Sequence, residues 1–108
     1  MGAKILDFRL TKRRAMEIIR AAGEDSSKIY RSKHAPIRMG ERGIDDLQVQ
    51  RCLQRGKILR EPKWNINARN FECVLRDISA GQRFEVIVAV DPTDPTGEVT
   101  IVTVQLCG

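Results

Sequence analysis

The first apolar pattern along the chain has the period of an α-helix. Its members recur at i, i+3, i+4 and i+7 and are Ala15, Ile18, Ile19 and Ala22. Thr11 precedes them as an N-cap residue, and Gly23 follows them. We predict a helix over residues 12–22. Residues 3–10 ahead of it are interpreted as a short edge strand or an irregular lead-in.

A second helical pattern begins at Asp45, and its start and stop signals agree. Gln48 follows Asp45 by three residues, which is the spacing of a capping box. Its apolar face ends at Gly56 and comprises Val49, Cys52 and Leu53. We therefore predict a helix from Asp45 to Gly56, with Cys52 as a small buried hydrophobic residue, and we expect the same of Cys73.

After Gly56 the pattern changes from helical to alternating. Four segments favour strands, namely residues 57–61, 68–77, 82–91 and 98–106. Residues 24–31 and 62–67 are interpreted as loops. Helices followed by antiparallel strands indicate an α+β fold, with N-terminal helices packed on a four-stranded antiparallel sheet. The length of 108 residues fits one domain over 1–108.

Inward-facing residues of this sheet follow from the alternation. They are Phe71, Cys73, Leu75, Phe84, Val86, Val88, Val90, Val102, Val104 and Leu106. The opposite face would carry Thr103, Gln105, Glu72, Arg76, Arg83 and Glu85. Which of the two faces is open does not follow from the sequence.

Charge is uneven along the chain. The net charge is +5, with 15 basic and 7 acidic residues in positions 1–60 and 4 against 7 in the remainder. A basic half suggests an anionic partner, of which nucleic acid is the usual one; the alternatives are an acidic protein or no partner at all. No apolar run is long enough to span a bilayer, and the first residues lack the apolar stretch of a secretory signal, so we expect a cytoplasmic protein without membrane contact.

The stretch between the two helices, Ser32–Gly43, carries the candidate chemistry. His34, Arg38 and Arg42 are spaced by four residues, which places them on one helical face. We call these three residues the α2 stripe, because the short helix that carries them, ending at Gly43, is the second helix in chain order. Pro36 makes the regular helix begin near position 36. The alternative is structural: the arginines pair with Glu41 or Asp45, and His34 caps or packs.

An imidazole and two guanidiniums suit RNA cleavage without a metal ion. One group must take the 2′-hydroxyl proton, one must stabilise the phosphorane charge, and one must protonate the leaving 5′-oxygen. Histidine suits either proton transfer, and paired arginines suit the phosphorane. Because His34 is the single histidine, its partner would be Lys33 or a carboxylate such as Glu72 or Glu85.

The string HAPIRMGERGI resembles a bacterial domain family of unassigned function with the signature His-Ala-x-x-Arg-Met-x-x-Arg-Gly-Ile. That family also ends in a strand of the type Ile-Val-Thr-Val, matched by Ile101–Val104. The resemblance covers residues 28–106. It implies a relationship to the small metal-independent RNases and toxins grouped around barnase, EndoU, the colicins and RelE, with helices followed by a four-stranded antiparallel sheet.

The resemblance also implies site residues, which are His34, Arg38, Arg42 and Thr103. Basic residues expected to contact RNA are Lys33, Arg13, Arg14 and Arg76; Arg13 and Arg14 lie in a first helical turn, where the helix dipole disfavours cations. No metal or other cofactor is expected.

Two functions remain open at this point. The first is an RNA-cleaving toxin-like domain that acts on free or ribosome-associated RNA and is restrained by an antitoxin or immunity protein. The second is a catalytically inactive module of the same fold, phage- or plasmid-associated, that binds RNA or an acidic protein.

Overall fold

The computed structural model describes residues 9–107, so most of the predicted lead-in, residues 3–8, lies outside it. The helices are α1 (Lys12–Gly23), α2 (Ala35–Arg42) and α3 (Asp46–Arg55), with a 3-10 turn at Ser26–Lys28. The strands are β1 (Ile29–Arg31), β2 (Lys57–Ile58), β3 (Lys63–Asn65), β4 (Asn70–Ser79), β5 (Gln82–Val90) and β6 (Val99–Leu106).

Side-chain caps start α1 and α3 where the sequence predicts. The Thr11 side chain accepts a hydrogen bond from the backbone N–H of Arg14. Asp45 and Gln48 form the complete capping box, with bonds of 2.8 and 2.9 Å. Each cap satisfies amide groups that have no partner within the helix. The two helices pack on each other through their apolar faces.

The α+β class is confirmed, but the prediction of a four-stranded antiparallel sheet is wrong. The sheet has six strands in the order β1-β6-β5-β4-β2, and β3 also pairs with β4. It is mixed, because β1 runs parallel to β6 while the other pairs are antiparallel. The two extra strands, β1 and β3, are three residues long and lie in segments predicted as loops.

A β-bulge in β6 changes which of its residues face the helices. In β5, Val88 pairs with Ile101, whereas the preceding residue, Ile87, pairs with Thr103. Val102 of β6 therefore has no partner across the ladder. The shift places Ile101 and Val104 inward together. The predicted inward position of Val102 is therefore wrong.

One hydrophobic core lies between the sheet and the helices. The other inward residues predicted for β4 and β5 are buried, whereas Leu106 at the end of β6 is 44% exposed, which contradicts its predicted position. Cys52 and Cys73 are buried free thiols, as expected. Between residues 9 and 107, no helix combines the length and apolar content needed to cross a membrane. The cytoplasmic location stays a prediction.

Candidate functional site: the exposed face of the second helix

The α2 stripe lies on one helical face. His34 occupies the N-cap with a helical backbone (φ −85°, ψ −23°), and its carbonyl accepts a hydrogen bond of 3.0 Å from the Arg38 N–H. The helical turn therefore includes His34, although Pro36 stands at the second helical position, where its missing N–H costs little. The helix ends at Gly43, whose left-handed φ of 67° favours glycine. The predicted start of the regular helix near Pro36 is confirmed.

The stripe faces solvent, and a carboxylate neutralises part of its charge. His34 is exposed, and the side chains of Arg38 and Arg42 are 48% and 33% exposed. Oε1 of Glu41 accepts hydrogen bonds from Nη1 of Arg38 at 2.9 Å and Nη1 of Arg42 at 3.3 Å. Exposed ion pairs of this kind are weak, so a phosphate can displace Glu41. Lys33 is also exposed beside the stripe.

The start of α2 is fixed on β6, the strand that carries Thr103. Ser32 donates a hydrogen bond of 2.7 Å from its hydroxyl to the Val102 carbonyl, and its backbone N–H donates to the Ile101 carbonyl at 2.9 Å. Ala35 and Met39 on the adjacent face of α2 are buried in the core. This packing gives the stripe a rigid support.

Thr103 lies on the sheet face away from the core. It pairs with Ile87, is half-buried, and its hydroxyl makes only a long contact of 3.4 Å with the Val104 carbonyl. Within residues 9–107, no hydrogen bond joins Thr103 to the stripe. The structure thus places His34, Arg38 and Arg42 on one face of α2, and it places Thr103 on β6, the strand against which α2 packs.

The other predicted RNA contacts are dispersed. Arg13 and Arg14 project from the first turn of α1, which packs mainly on α3, and their side chains are 91% and 57% exposed. Both approach Glu17, at 4.0 and 3.2 Å. They form a second basic area rather than part of the stripe.

Arg76 belongs to a polar network on the sheet face away from the helices. Its Nη2 donates to Glu85 at 2.7 Å, and Nε2 of Gln105 donates to the same carboxylate at 2.8 Å. These hydrogen bonds hold the pKa of Glu85 below its ordinary value, and the bond from Arg76 has the larger effect. Because a lowered pKa makes a carboxylate a weaker base, Glu85 is poorly suited to remove a proton. Arg76 is correspondingly committed to Glu85.

Glu72, the other carboxylate considered as a base, is also engaged. It accepts a hydrogen bond of 3.1 Å from the side-chain amide of Asn65. Neither carboxylate forms a hydrogen bond with His34 in the part of the chain that the structure describes.

The sequence did not predict a cleft that lies beside β3 and β4, on the side of the sheet away from β6 and the α2 stripe. It is lined by Arg9, Trp64, Arg69, Phe71 and the segment 91–93. The sequence offers only a weak signal for it, a single Trp followed five residues later by an arginine. The cleft exists because three distant segments meet there.

Comparison with known proteins gives a family and no close relative. Residues 31–105 match the family described as "Domain of unknown function (DUF4258)". The matched region begins just before the α2 stripe and ends within β6. No curated protein and no solved structure matches the chain.

Proposed function

This chain belongs to the DUF4258 family, and we propose that it binds single-stranded RNA and cleaves it without a metal ion. One observation carries the proposal: His34, Arg38 and Arg42 share an exposed helical face that is anchored on β6. Two guanidiniums at one turn's spacing can bind the oxygens of one phosphodiester, and the imidazole lies one turn further toward the N-terminus.

The proposed reaction is transesterification within the RNA. The 2′-oxygen attacks phosphorus and loses its proton, the bond from phosphorus to the 5′-oxygen breaks, and that oxygen takes a proton. The products are a 2′,3′-cyclic phosphate and a 5′-hydroxyl. His34 performs one of the proton transfers and water the other, while Arg38 and Arg42 stabilise the phosphorane charge after releasing Glu41.

The same proposal places the domain with RelE- and barnase-like RNases. Its support is the element order, in which helices precede the long antiparallel strands β4, β5 and β6. β1, with its parallel pairing, would be an addition to that arrangement. A bacterial RNase of this type requires restraint, and we propose an antitoxin or immunity protein that covers the α2 stripe in the cytoplasm.

A second candidate is a non-catalytic module that binds RNA or an acidic protein. A specific observation favours it: the carboxylates considered as proton acceptors, Glu72 and Glu85, are hydrogen-bonded to Asn65 and to Arg76 with Gln105. His34 would then act without a second proton-transfer group, and the stripe would serve for binding alone.

Cleavage of a labelled RNA separates the two candidates. Purified protein is incubated with a 5′-labelled single-stranded RNA in the presence of EDTA, and the products are tested for a 2′,3′-cyclic phosphate. We expect wild-type protein to cleave, and His34→Ala and Arg38→Ala to lose about 10²-fold or more in rate. Arg51→Ala, which removes an exposed arginine from α3, is the matched control and should cleave like wild type.

Each other outcome has a defined meaning. Cleavage that survives in both His34→Ala and Arg38→Ala contradicts the proposed site and points to a contaminating nuclease. Binding without cleavage, lost in Arg38→Ala but kept in Arg51→Ala, supports the non-catalytic module. In cells, growth arrest on induced expression that disappears with His34→Ala would support the toxin, provided that the variant accumulates to the same level.

A further inference from the structure

The cleft lined by Trp64 and Arg69 has the size of a small-ligand site. Its volume is about 490 Å³, within the range of pockets that hold small molecules. It lies where β3 pairs with the first residues of β4, whereas α2 packs on β6, two strands away. The cleft is therefore separate from the α2 stripe, and its chemistry has to be explained by itself.

Trp64 presents an aromatic surface to this cleft. Its ring packs edge-to-face on Phe71, with ring centroids 5.0 Å apart and an interplanar angle of 63°. Phe71 is buried, but Trp64 remains 48% exposed. A half-exposed indole held in place by a buried ring is a ready stacking partner, since every nucleobase has a flat π-face.

Arg69 supplies a positive charge at an unusual backbone position. Its φ of 59° is in the left-handed region, which strains a residue with a side chain. The turn is fixed by Asn65, whose side chain accepts hydrogen bonds from the N–H groups of Asn67 and Ala68 at 3.0 and 3.1 Å. Glycine would satisfy this backbone better. The arginine instead places a side chain on the wall of the cleft.

The Arg69 guanidinium is available for a ligand. Within residues 9–107 it forms no hydrogen bond or ion pair. It is exposed, so an anion can approach it without first removing a carboxylate. This differs from Arg38 and Arg42, which both bind Glu41.

Asp91 adds a hydrogen-bond acceptor to the same cleft. Its Oδ1 already accepts from the N–H and hydroxyl of Thr93, at 2.9 and 2.6 Å, which fixes the loop after β5. The carboxylate repels a phosphate but accepts hydrogen bonds from amino groups. A ligand that suits all three groups is aromatic, carries amino hydrogens on one edge, and bears an anion elsewhere.

We propose that this cleft binds one nucleotide of single-stranded RNA. The base stacks on Trp64, the phosphate binds Arg69, and the amino edge of the base donates to Asp91. The inference is independent of cleavage at the α2 stripe, because mononucleotide binding requires neither His34 nor the two stripe arginines.

Intrinsic fluorescence tests this inference directly, because Trp64 is the single tryptophan of the chain. Wild-type protein, excited selectively at the tryptophan, is titrated with AMP, CMP and UMP, and with ribose 5-phosphate and inorganic phosphate as controls. We expect saturable quenching by the nucleotides, stronger for AMP and CMP, which have an exocyclic amino group, than for UMP. Neither control should produce saturable quenching.

Variants at position 69 separate charge from folding. Arg69→Gly relieves the left-handed strain while it removes the guanidinium, so the variant should fold and yet bind AMP at least several-fold more weakly. Arg69→Lys should retain part of the affinity. Arg51→Gln removes an equal charge from α3 and should bind like wild type.

RNA binding supplies the second readout. Anisotropy of a labelled single-stranded RNA with 2′-O-methyl groups, which cannot be cleaved, should show Trp64→Ala binding about 5- to 150-fold more weakly, the range for loss of one stacked base. His34→Ala should keep the nucleotide quenching even if it loses cleavage, so failure of the proposed reaction leaves this test intact. The inference is overturned if no nucleotide gives saturable quenching, or if Arg69→Gly and Arg51→Gln have equal affinities for AMP.

Discussion

Removal of Glu41 should strengthen RNA binding, which is an uncommon effect for a substitution at a binding site. The Glu41 carboxylate binds both stripe arginines, at 2.9 and 3.3 Å, and RNA must displace it before a phosphate can take its place. Glu41→Gln removes that competitor and leaves a side chain of the same shape. The side chain is 50% exposed, so folding should be little affected.

The size of the effect follows from the two ion pairs. Exposed pairs contribute about 0.2–1 kcal/mol each, so their combined loss on RNA binding is about 0.4–2 kcal/mol. That range corresponds to a gain of about 2- to 30-fold in affinity. Stability should change little, since Glu41 lies near the C-terminal end of α2, where the helix dipole disfavours a negative charge and offsets the lost pairs.

Fluorescence anisotropy measures this gain with a labelled single-stranded RNA whose 2′-oxygens are methylated, so that the RNA is not cleaved during the titration. Glu61→Gln is the matched control, because it makes the same change of charge at an exposed position outside α2. Glu41→Gln should bind more tightly than Glu61→Gln, and its advantage should shrink as salt is added. Equal affinities of the two variants, or weaker binding by Glu41→Gln, would refute the assignment of the stripe as the RNA contact.

Three further predictions concern the fold. Gly56→Ala would place a Cβ 2.5 Å from the carbonyl oxygen of Cys52, and we expect a loss of about 1–3 kcal/mol in urea denaturation; a change below about 0.5 kcal/mol would contradict the packing. Burial raises the pKa of Cys52 and Cys73 to about 12, so a thiol reagent at neutral pH should leave both unmodified until the protein is unfolded; rapid labelling of either in the native protein would contradict their burial. The pKa of Glu85 is lowered on folding, mainly by Arg76, so its contribution to stability is present above its ordinary pKa of 4.5 and is lost as pH falls through the lower folded value. The stability difference between wild type and Glu85→Gln should therefore shrink in acid, and a difference independent of pH would be inconsistent with that pairing.

Local sequence signals predicted the helices and the long strands, because the signals for these elements lie within a few residues of each other. The capping box of Asp45 and Gln48 involves residues three apart, and the alternation in β4 reports burial on one face. The α2 stripe and the pairing of Glu41 with its arginines depend on the same short spacings. These features could be derived without knowledge of the tertiary structure.

Long-range contacts explain what the sequence did not reveal. β1 is three residues long and is a strand only because it pairs with β6, some seventy positions later. The bulge at Val102 interrupts a run in which every residue favours a strand, and its carbonyl accepts the hydrogen bond from Ser32. The Trp64 cleft combines Arg9, which precedes α1, with residues from the segments 64–71 and 91–93. Hydrophobic and polar patterns within a short stretch of sequence carry no information on contacts between distant segments.

The most direct test of the central claim is NMR of the single histidine. A protein with one imidazole gives one set of ring signals, which can be followed while a single-stranded RNA with 2′-O-methyl groups, and therefore no attacking hydroxyl, is added. If the α2 stripe binds the phosphodiester, the ring signals of His34 shift in a saturable manner, and the shift is absent in Arg38→Ala. RNA that binds while the His34 signals stay unchanged would contradict the account.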